Sequence, residues 1–116
     1  MIRVVVADDH SIVRQGLSRV IALASDIELV GEARDGWETL ELARKGGFDL
    51  LLTDMSMPGP NGPELVKRVR SEKPELPILV LSMHGESQIA SRAIKAGASG
   101  YLTKDSDPEM LLDAIR

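Results

Sequence analysis

The sequence predicts an α/β domain in which a doubly wound parallel sheet is built from five strand–helix units. Two observations carry that prediction. Short apolar runs of strand length occur at 2–7, 27–30, 48–53, 77–82 and 99–103, and a longer segment with helical spacing follows each of them. Strands that alternate with helices in this way imply a parallel sheet covered on both faces. In the first helical segment Val13, Leu17, Val20, Ile21 and Ala24 recur at i, i+4, i+7, i+8 and i+11, which is one helix face. Trp37, Leu40 and Ala43 mark the second helix, Leu65, Val66 and Val69 the third, and Ile89, Ala93 and Ala96 the fourth. Leu111, Ala114 and Ile115 open the fifth, with Ser106 as its cap, Pro108 in its first turn and Glu109 three residues after the cap.

The composition of the runs orders the strands. Val4-Val5-Val6, Leu50-Leu51-Leu52 and Ile78-Leu79-Val80-Leu81 are continuously apolar, as strands buried on both faces should be. Glu28 in the second run and Ser99 and Gly100 in the fifth mark those two as edges. Strands 1, 3 and 4 in the middle fit the flavodoxin-like order 2-1-3-4-5, with the other doubly wound orders still open at this point.

Length and charge narrow the function. The 116 residues make one domain, 1–116. Apolar residues at 43% supply enough core that no metal or disulfide staple is needed. A net charge of −4 argues against this domain binding nucleic acid by itself or docking on an anionic membrane. There is no cysteine, which excludes disulfides and thiol catalysis, and two histidines make a zinc site a poor fit. No secretory pattern opens the chain and no apolar run approaches a membrane span, so a cytoplasmic location is expected.

In open parallel sheets ligands bind beyond the carboxyl ends of the strands. Asp8 and Asp9 follow strand 1 and Asp54 follows strand 3; Ser82 ends strand 4 and Lys104 follows strand 5. Taken singly, each has a plainer reading: a helix cap, a turn residue, a solvated lysine. His10 and His84 read as loop residues, and Met55 and Met57 as packing groups. The convergence is what matters. Three carboxylates beside one ammonium repel one another unless a cation joins them. An oxygen-only donor set favours Mg²⁺ or Mn²⁺. Asp54, at the tip of the middle strand, is then placed to attack phosphorus and form an aspartyl phosphate, with the cation, Lys104 and Ser82 each serving one phosphoryl oxygen.

These residues resemble the receiver domain of two-component response regulators, over essentially the whole chain. The resemblance is carried by Val5-Val6-Ala7-Asp8-Asp9-His10, by Asp49 to Pro58, by Asn61-Gly62, by Ile78 to Ser82, and by Ala96 to Asp105. The Asp-Asp-His opening and the Gly-Tyr-Leu-Thr-Lys-Asp ending are similar to the NarL/FixJ subfamily, whose members usually add a C-terminal LuxR-type helix-turn-helix domain that this chain lacks. The resemblance implies that Asp54 is the phosphoacceptor, and that Asp9, Asp54 and the backbone carbonyl of Ser56 bind Mg²⁺ directly while Asp8 helps through water. It implies that Lys104 pairs with the phosphoryl group or with Asp54, that Ser82 is the switch hydroxyl, and that Tyr101 is the switch aromatic. Ser56 and His84 match positions that tune hydrolysis. A sensor histidine kinase is the implied partner, with a homodimer formed on phosphorylation and DNA contacted only through the absent domain. Such a chain is a signalling switch and not an enzyme with a turnover substrate. Met83 after the switch serine and Asp105 after the lysine depart from the family pattern. The alternative reading is a receiver-like interaction module that is never phosphorylated.

Overall fold

The computed structural model describes residues 1–82, 87–104 and 107–116. The elements follow in the order β1 (Ile2–Ala7), α1 (Ser11–Ala22), β2 (Ile27–Ala33), α2 (Gly36–Lys45), β3 (Leu50–Asp54), α3 (Gly62–Glu72), β4 (Ile78–Ser82), α4 (Ser87–Ala96), β5 (Gly100–Thr103) and α5 (Pro108–Ile115). All the strand pairs are parallel, and the sheet order is β2-β1-β3-β4-β5. This is the order anticipated from the runs. β3 and β4 are buried along their full length, as central strands of a doubly covered sheet must be.

Side chains alternate across the sheet and build two cores. Val5, Leu51 and Val80 point to one face, where they pack with Leu40 and Ala43 of α2, Leu65, Val66 and Val69 of α3, and Ala93 of α4. Val4, Val6, Leu50, Leu52, Leu79 and Leu81 point to the other, against Ile21 of α1 and Leu111, Leu112 and Ile115 of α5. At about 25 cal/mol per Å² of apolar area removed from water, this aliphatic burial is the main force holding the sheet.

Several details depart from the sequence reading. β2 runs on to Ala33, three residues past the apolar run, because its pairing with β1 continues to Ala7↔Ala33 across an irregularity at Val4/Val5. Trp37 is not on the core face of α2; it is 59% exposed and lies against Gly59, with the Arg68 guanidinium 5.7 Å from its ring centre. In α4 Ala90 is buried and Ile89 is exposed, and in α5 Leu112 is buried where Ala114 was expected. The cap of α5 is Asp107, whose side chain accepts from the Met110 N–H. The anticipated cap, Ser106, lies outside the described residues, as do Met83, His84 and Asp105. Among the described residues no helix is long and apolar enough to cross a membrane.

Candidate functional site

Parallel register brings the chemistry together. Ala7 pairs with Thr53, so the next residues out, Asp8 and Asp54, stand level at the carboxyl edge of neighbouring strands. Both continue the stripe of Val4, Val6, Leu50 and Leu52 and so leave the sheet on the α1/α5 side. Leu81 pairs with Leu102 and Ser82 with Thr103, which carries Lys104 to the same edge two strands away. The long lysine side chain then reaches back. Its Nζ is 3.1 Å from Oδ1 of Asp54 and 3.3 Å from Oδ2 of Asp8.

Asp8 is fully buried and Asp54 is 4% exposed. Their partners are few. Oδ1 of Asp8 accepts from the His10 backbone N–H at 2.9 Å, while Oδ2 is paired with the Lys104 ammonium at 3.3 Å and has no other partner among the described residues. Oδ1 of Asp54 accepts from the Met55 N–H at 2.8 Å. Burial pushes the Asp54 carboxyl above its ordinary value, and the charge of Asp8 adds to this; the hydrogen bond and charge of Lys104 and the Met55 N–H only partly offset it. Burial also works against the Lys104 ammonium. Its hydrogen bond to Asp54 and the charges of Asp54 and Asp8 outweigh that and hold the amine above its ordinary range.

Asp9 and His10 close the outer side. Nδ1 of His10 lies 3.1 Å from Oδ1 of Asp9 and 3.3 Å from Oδ1 of Asp8. One ligand atom from each of Asp8, Asp9, His10 and Asp54 lies within 4.8 Å of the others, a group able to hold a metal ion. Three carboxylates gathered around the Lys104 ammonium leave an excess of negative charge, which a divalent cation relieves. The three carboxylates of the group fit Mg²⁺, which takes carboxylate oxygens and keeps several waters. His10 is the member the sequence reading left as a loop residue. The signal available was its position directly after the acidic pair, where the turn into α1 folds its ring back.

Two loops fix the frame. The Arg14 guanidinium donates to the Asp8 carbonyl at 2.6 Å and pairs with Glu32 at 3.3 Å, tying α1 to β1 and β2. The Asn61 amide donates to the carbonyls of Met57 at 2.8 Å and Gly59 at 3.1 Å and so holds the loop that leaves Asp54. Gly62 begins α3 at φ 54°, with its Cα so close to the Met55 carbonyl that a Cβ would stand 3.3 Å from that oxygen.

Of the other residues in the sequence reading, Ser82 ends β4, Ser56 follows β3 and Tyr101 lies within β5. Ser82 is buried, and among the described residues its hydroxyl donates only to the Leu102 carbonyl, at a long 3.5 Å. Ser56 is exposed in the loop after β3. Tyr101 is 46% exposed on the edge strand.

Fold and site together define a receiver domain. The chain belongs to the response regulator receiver domain family, whose sequence profile matches residues 4–116. It is 40% identical over 112 residues to the nitrate/nitrite response regulator protein NarL of Escherichia coli K12, covering 97% of this chain and 52% of that protein. It is 36% identical over 115 residues to the transcriptional regulatory protein DegU of Brevibacillus brevis, covering 99% of this chain and 49% of that one. The chain thus spans about half the length of these curated relatives. Among solved structures, a LuxR-family two-component response regulator from Aurantimonas superposes with a TM-score of 0.91 at 41% identity, over 97% of this chain and 81% of that one. RcsB of Salmonella enterica, bound to a promoter in the presence of a beryllofluoride phosphomimetic, superposes with a TM-score of 0.89 at 30% identity, over 99% of this chain and 96% of that one.

Proposed function

We propose that Asp54 accepts a phosphoryl group from the phosphohistidine of a sensor histidine kinase. The observation that carries this reading is the meeting of Asp8, Asp54 and Lys104 at one sheet edge, where two buried carboxylates share one ammonium. Asp8, Asp9, Asp54 and the carbonyl of Ser56 would hold Mg²⁺. When bound, the ion offsets the negative charge of the incoming phosphoryl group.

The chain's own residues do the rest. Met55 N–H and Lys104 both engage Oδ1 of Asp54, which leaves Oδ2 as the attacking oxygen. Oδ2 forms the new O–P bond, the P–N bond of the phosphohistidine breaks, and its electron pair returns to the imidazole, which takes up a proton. Lys104 exchanges its carboxylate contact for a phosphoryl oxygen, a charge-assisted bond.

The transferred group adds a charge of about −1.5 to −2 at pH 7. It draws the Ser82 hydroxyl away from the Leu102 carbonyl, a bond weak enough to release at little cost. Tyr101 then turns from solvent into the space beside Ser82, and the surface of α4, β5 and α5 changes. This is a two-state element biased by a local charge. In the longer protein the change drives homodimerisation and frees a C-terminal helix-turn-helix domain to bind DNA. NarL is named a response regulator and DegU a transcriptional regulatory protein, and the RcsB structure pairs a phosphomimetic with a promoter. The protein acts as a cytoplasmic switch.

The test is incubation with acetyl phosphate and Mg²⁺, read by intact mass, on the wild type and Asp54→Asn. A single phosphoryl adduct that is lost in Asp54→Asn and in EDTA supports the assignment. An adduct that survives the substitution overturns it.

A further inference from the structure

Arg14 stands in the first turn of α1, where the helix itself gives no reason for a cation. A helix dipole favours cations at the carboxyl end, and the first turn of α1 holds no acidic residue to offset one. The Arg14 side chain is nevertheless only 14% exposed, because it turns back over the end of β1. Its Nη1 donates to the Asp8 carbonyl at 2.6 Å, a charge-assisted bond, and its Nε lies 3.3 Å from Oε1 of Glu32 on β2. The carbonyl it holds belongs to the peptide that joins Asp8 to Asp9. That unit is planar, so holding its oxygen orients the N–Cα bond of Asp9, from which the Asp9 carboxylate departs. Asp8 is held at two further points: its N–H donates to the Ala33 carbonyl at 3.0 Å, and its Oδ1 accepts from the His10 N–H at 2.9 Å. Arg14 completes the set, so that backbone donor, backbone acceptor and side chain of Asp8 are all engaged.

We propose that Arg14 is a positioning residue for the phosphoacceptor site and that Glu32 acts through it. The guanidinium holds the Asp8–Asp9 turn in the geometry that takes a divalent ion, and the Glu32 carboxylate aims the guanidinium. The inference rests on the reading that the acidic cluster holds Mg²⁺. Charge alone predicts the reverse. A guanidinium beside the cluster repels a second cation, so if Arg14 acted only through its field, its loss would strengthen Mg²⁺ binding. Acting by geometry has the opposite sign: removal frees the turn, and ordering it again opposes binding. Partners one step removed from the ligands of a metal typically govern about 10–100-fold of its affinity. Lysine keeps the charge but lacks the fork that spans Asp8 and Glu32 together.

The experiment titrates the metal-free chain with Mg²⁺ by calorimetry and follows adduct formation from acetyl phosphate at rising Mg²⁺. It is done on the wild type, Arg14→Met, Arg14→Lys, Glu32→Gln and the double variant Arg14→Met with Glu32→Gln. Arg19→Met, which removes an exposed arginine from the same helix, is the control, and circular dichroism confirms folding. Arg14→Met should weaken Mg²⁺ by about 10-fold, Arg14→Lys by about 3-fold and Arg19→Met by less than about 2-fold. Glu32→Gln should weaken Mg²⁺ by about 3-fold in the wild type and have no further effect in Arg14→Met, as residues acting in series do. At saturating Mg²⁺ the rate of adduct formation in Arg14→Met should return to within about 2-fold of the wild type, because the ion then orders the turn. Three results overturn the inference: unchanged or tighter Mg²⁺ binding in Arg14→Met, a rate that stays low at saturating ion, or a Glu32→Gln loss of equal size in both backgrounds. If Arg14→Met does not fold, Arg14→Lys and Glu32→Gln decide, and wild-type affinity in both overturns it. An inference overturned while the wild type still binds Mg²⁺ and forms the Asp54 adduct leaves the phosphoacceptor reading standing. If Mg²⁺ does not bind the wild type, both fall.

Discussion

The ammonium of Lys104 stands 3.1 Å from Oδ1 of Asp54, across β4, the strand between their two strands. The same nitrogen lies 3.3 Å from Asp8 Oδ2, so one cation separates two buried carboxylates. Its removal leaves those carboxylates facing each other. Breaking a buried pair by deleting one partner typically costs about 3–5 kcal/mol, and the partial exposure of Lys104 reduces this to about 1–3 kcal/mol. Lys104→Gln should therefore lower the urea midpoint in EDTA, and saturating Mg²⁺ should recover much of the loss. An unchanged midpoint in EDTA would show that the ion pair contributes nothing to the fold.

Asp54 gives a pH signature. Its carboxyl is raised above 3.8 in the folded chain, by burial first and by Asp8 second. Between the unfolded and folded values the native state binds more protons than the unfolded one, so stability falls as pH rises through that window. Asp54→Asn removes the titration. In metal-free buffer Asp54→Asn should be more stable than the wild type at neutral pH, and the gap should close toward pH 4. Mg²⁺ competes with the same proton, so its affinity for the wild type should strengthen as pH rises through the raised value. Urea unfolding across pH and calorimetry at several pH values check the two halves. A gap that widens toward acid pH would reverse the sign and reject the account.

The strand order was legible because burial on both faces demands continuous apolar runs, and Val4 to Val6, Leu50 to Leu52 and Ile78 to Leu81 are such runs. Asp8, Asp54 and Lys104 were legible for the same reason: once the strands are ordered, the residues just past their ends must meet. What escaped depends on side-chain direction and loop register. Trp37 has the spacing of a core residue, yet α2 is rotated so that Thr39, Leu40 and Ala43 face inward and the indole rests on Gly59. Periodicity cannot see the Gly59 loop, which comes from another part of the chain. His10 was passed over because its neighbours in space are set by the turn into α1, which apolar spacing does not encode.

The cap of α5 offers a smaller test. Asp107 accepts from Met110 N–H at 2.9 Å and precedes Pro108, a good first-turn residue. The helix is only eight residues long, yet it buries Leu111, Leu112 and Ile115 beneath the sheet. Asp107→Ala should cost about 1 kcal/mol, read as a lower thermal midpoint, and Asp107→Asn should recover most of it. Equal loss in both variants would assign the effect to charge and not to the cap.

Two glycines make opposite predictions for the same substitution. A Cβ on Gly36 would overlap the Pro60 carbonyl oxygen, and the Gly36 N–H donates to the Pro58 carbonyl at 3.0 Å. The start of α2 is thus pressed against the loop that leaves Asp54, and backbone, not a flexible side-chain end, blocks the added methyl. Gly36→Ala must push the 58–60 segment away, at a cost of about 2–3 kcal/mol. The displacement pulls on Asn61, which ties Met57 and Gly59, and so on the position of Ser56 and Asp54. Loss of stability should then come with weaker Mg²⁺ binding. Gly16 lies inside α1 with nothing within 4 Å of its Cβ position. There Ala removes backbone freedom from the unfolded chain and improves helix propensity, so Gly16→Ala should raise stability by about 0.5–1 kcal/mol with Mg²⁺ affinity unchanged. Urea midpoints and Mg²⁺ titrations of both variants decide the matter; the same sign of change in both midpoints would show that close approach at Gly36 does not hold the loop.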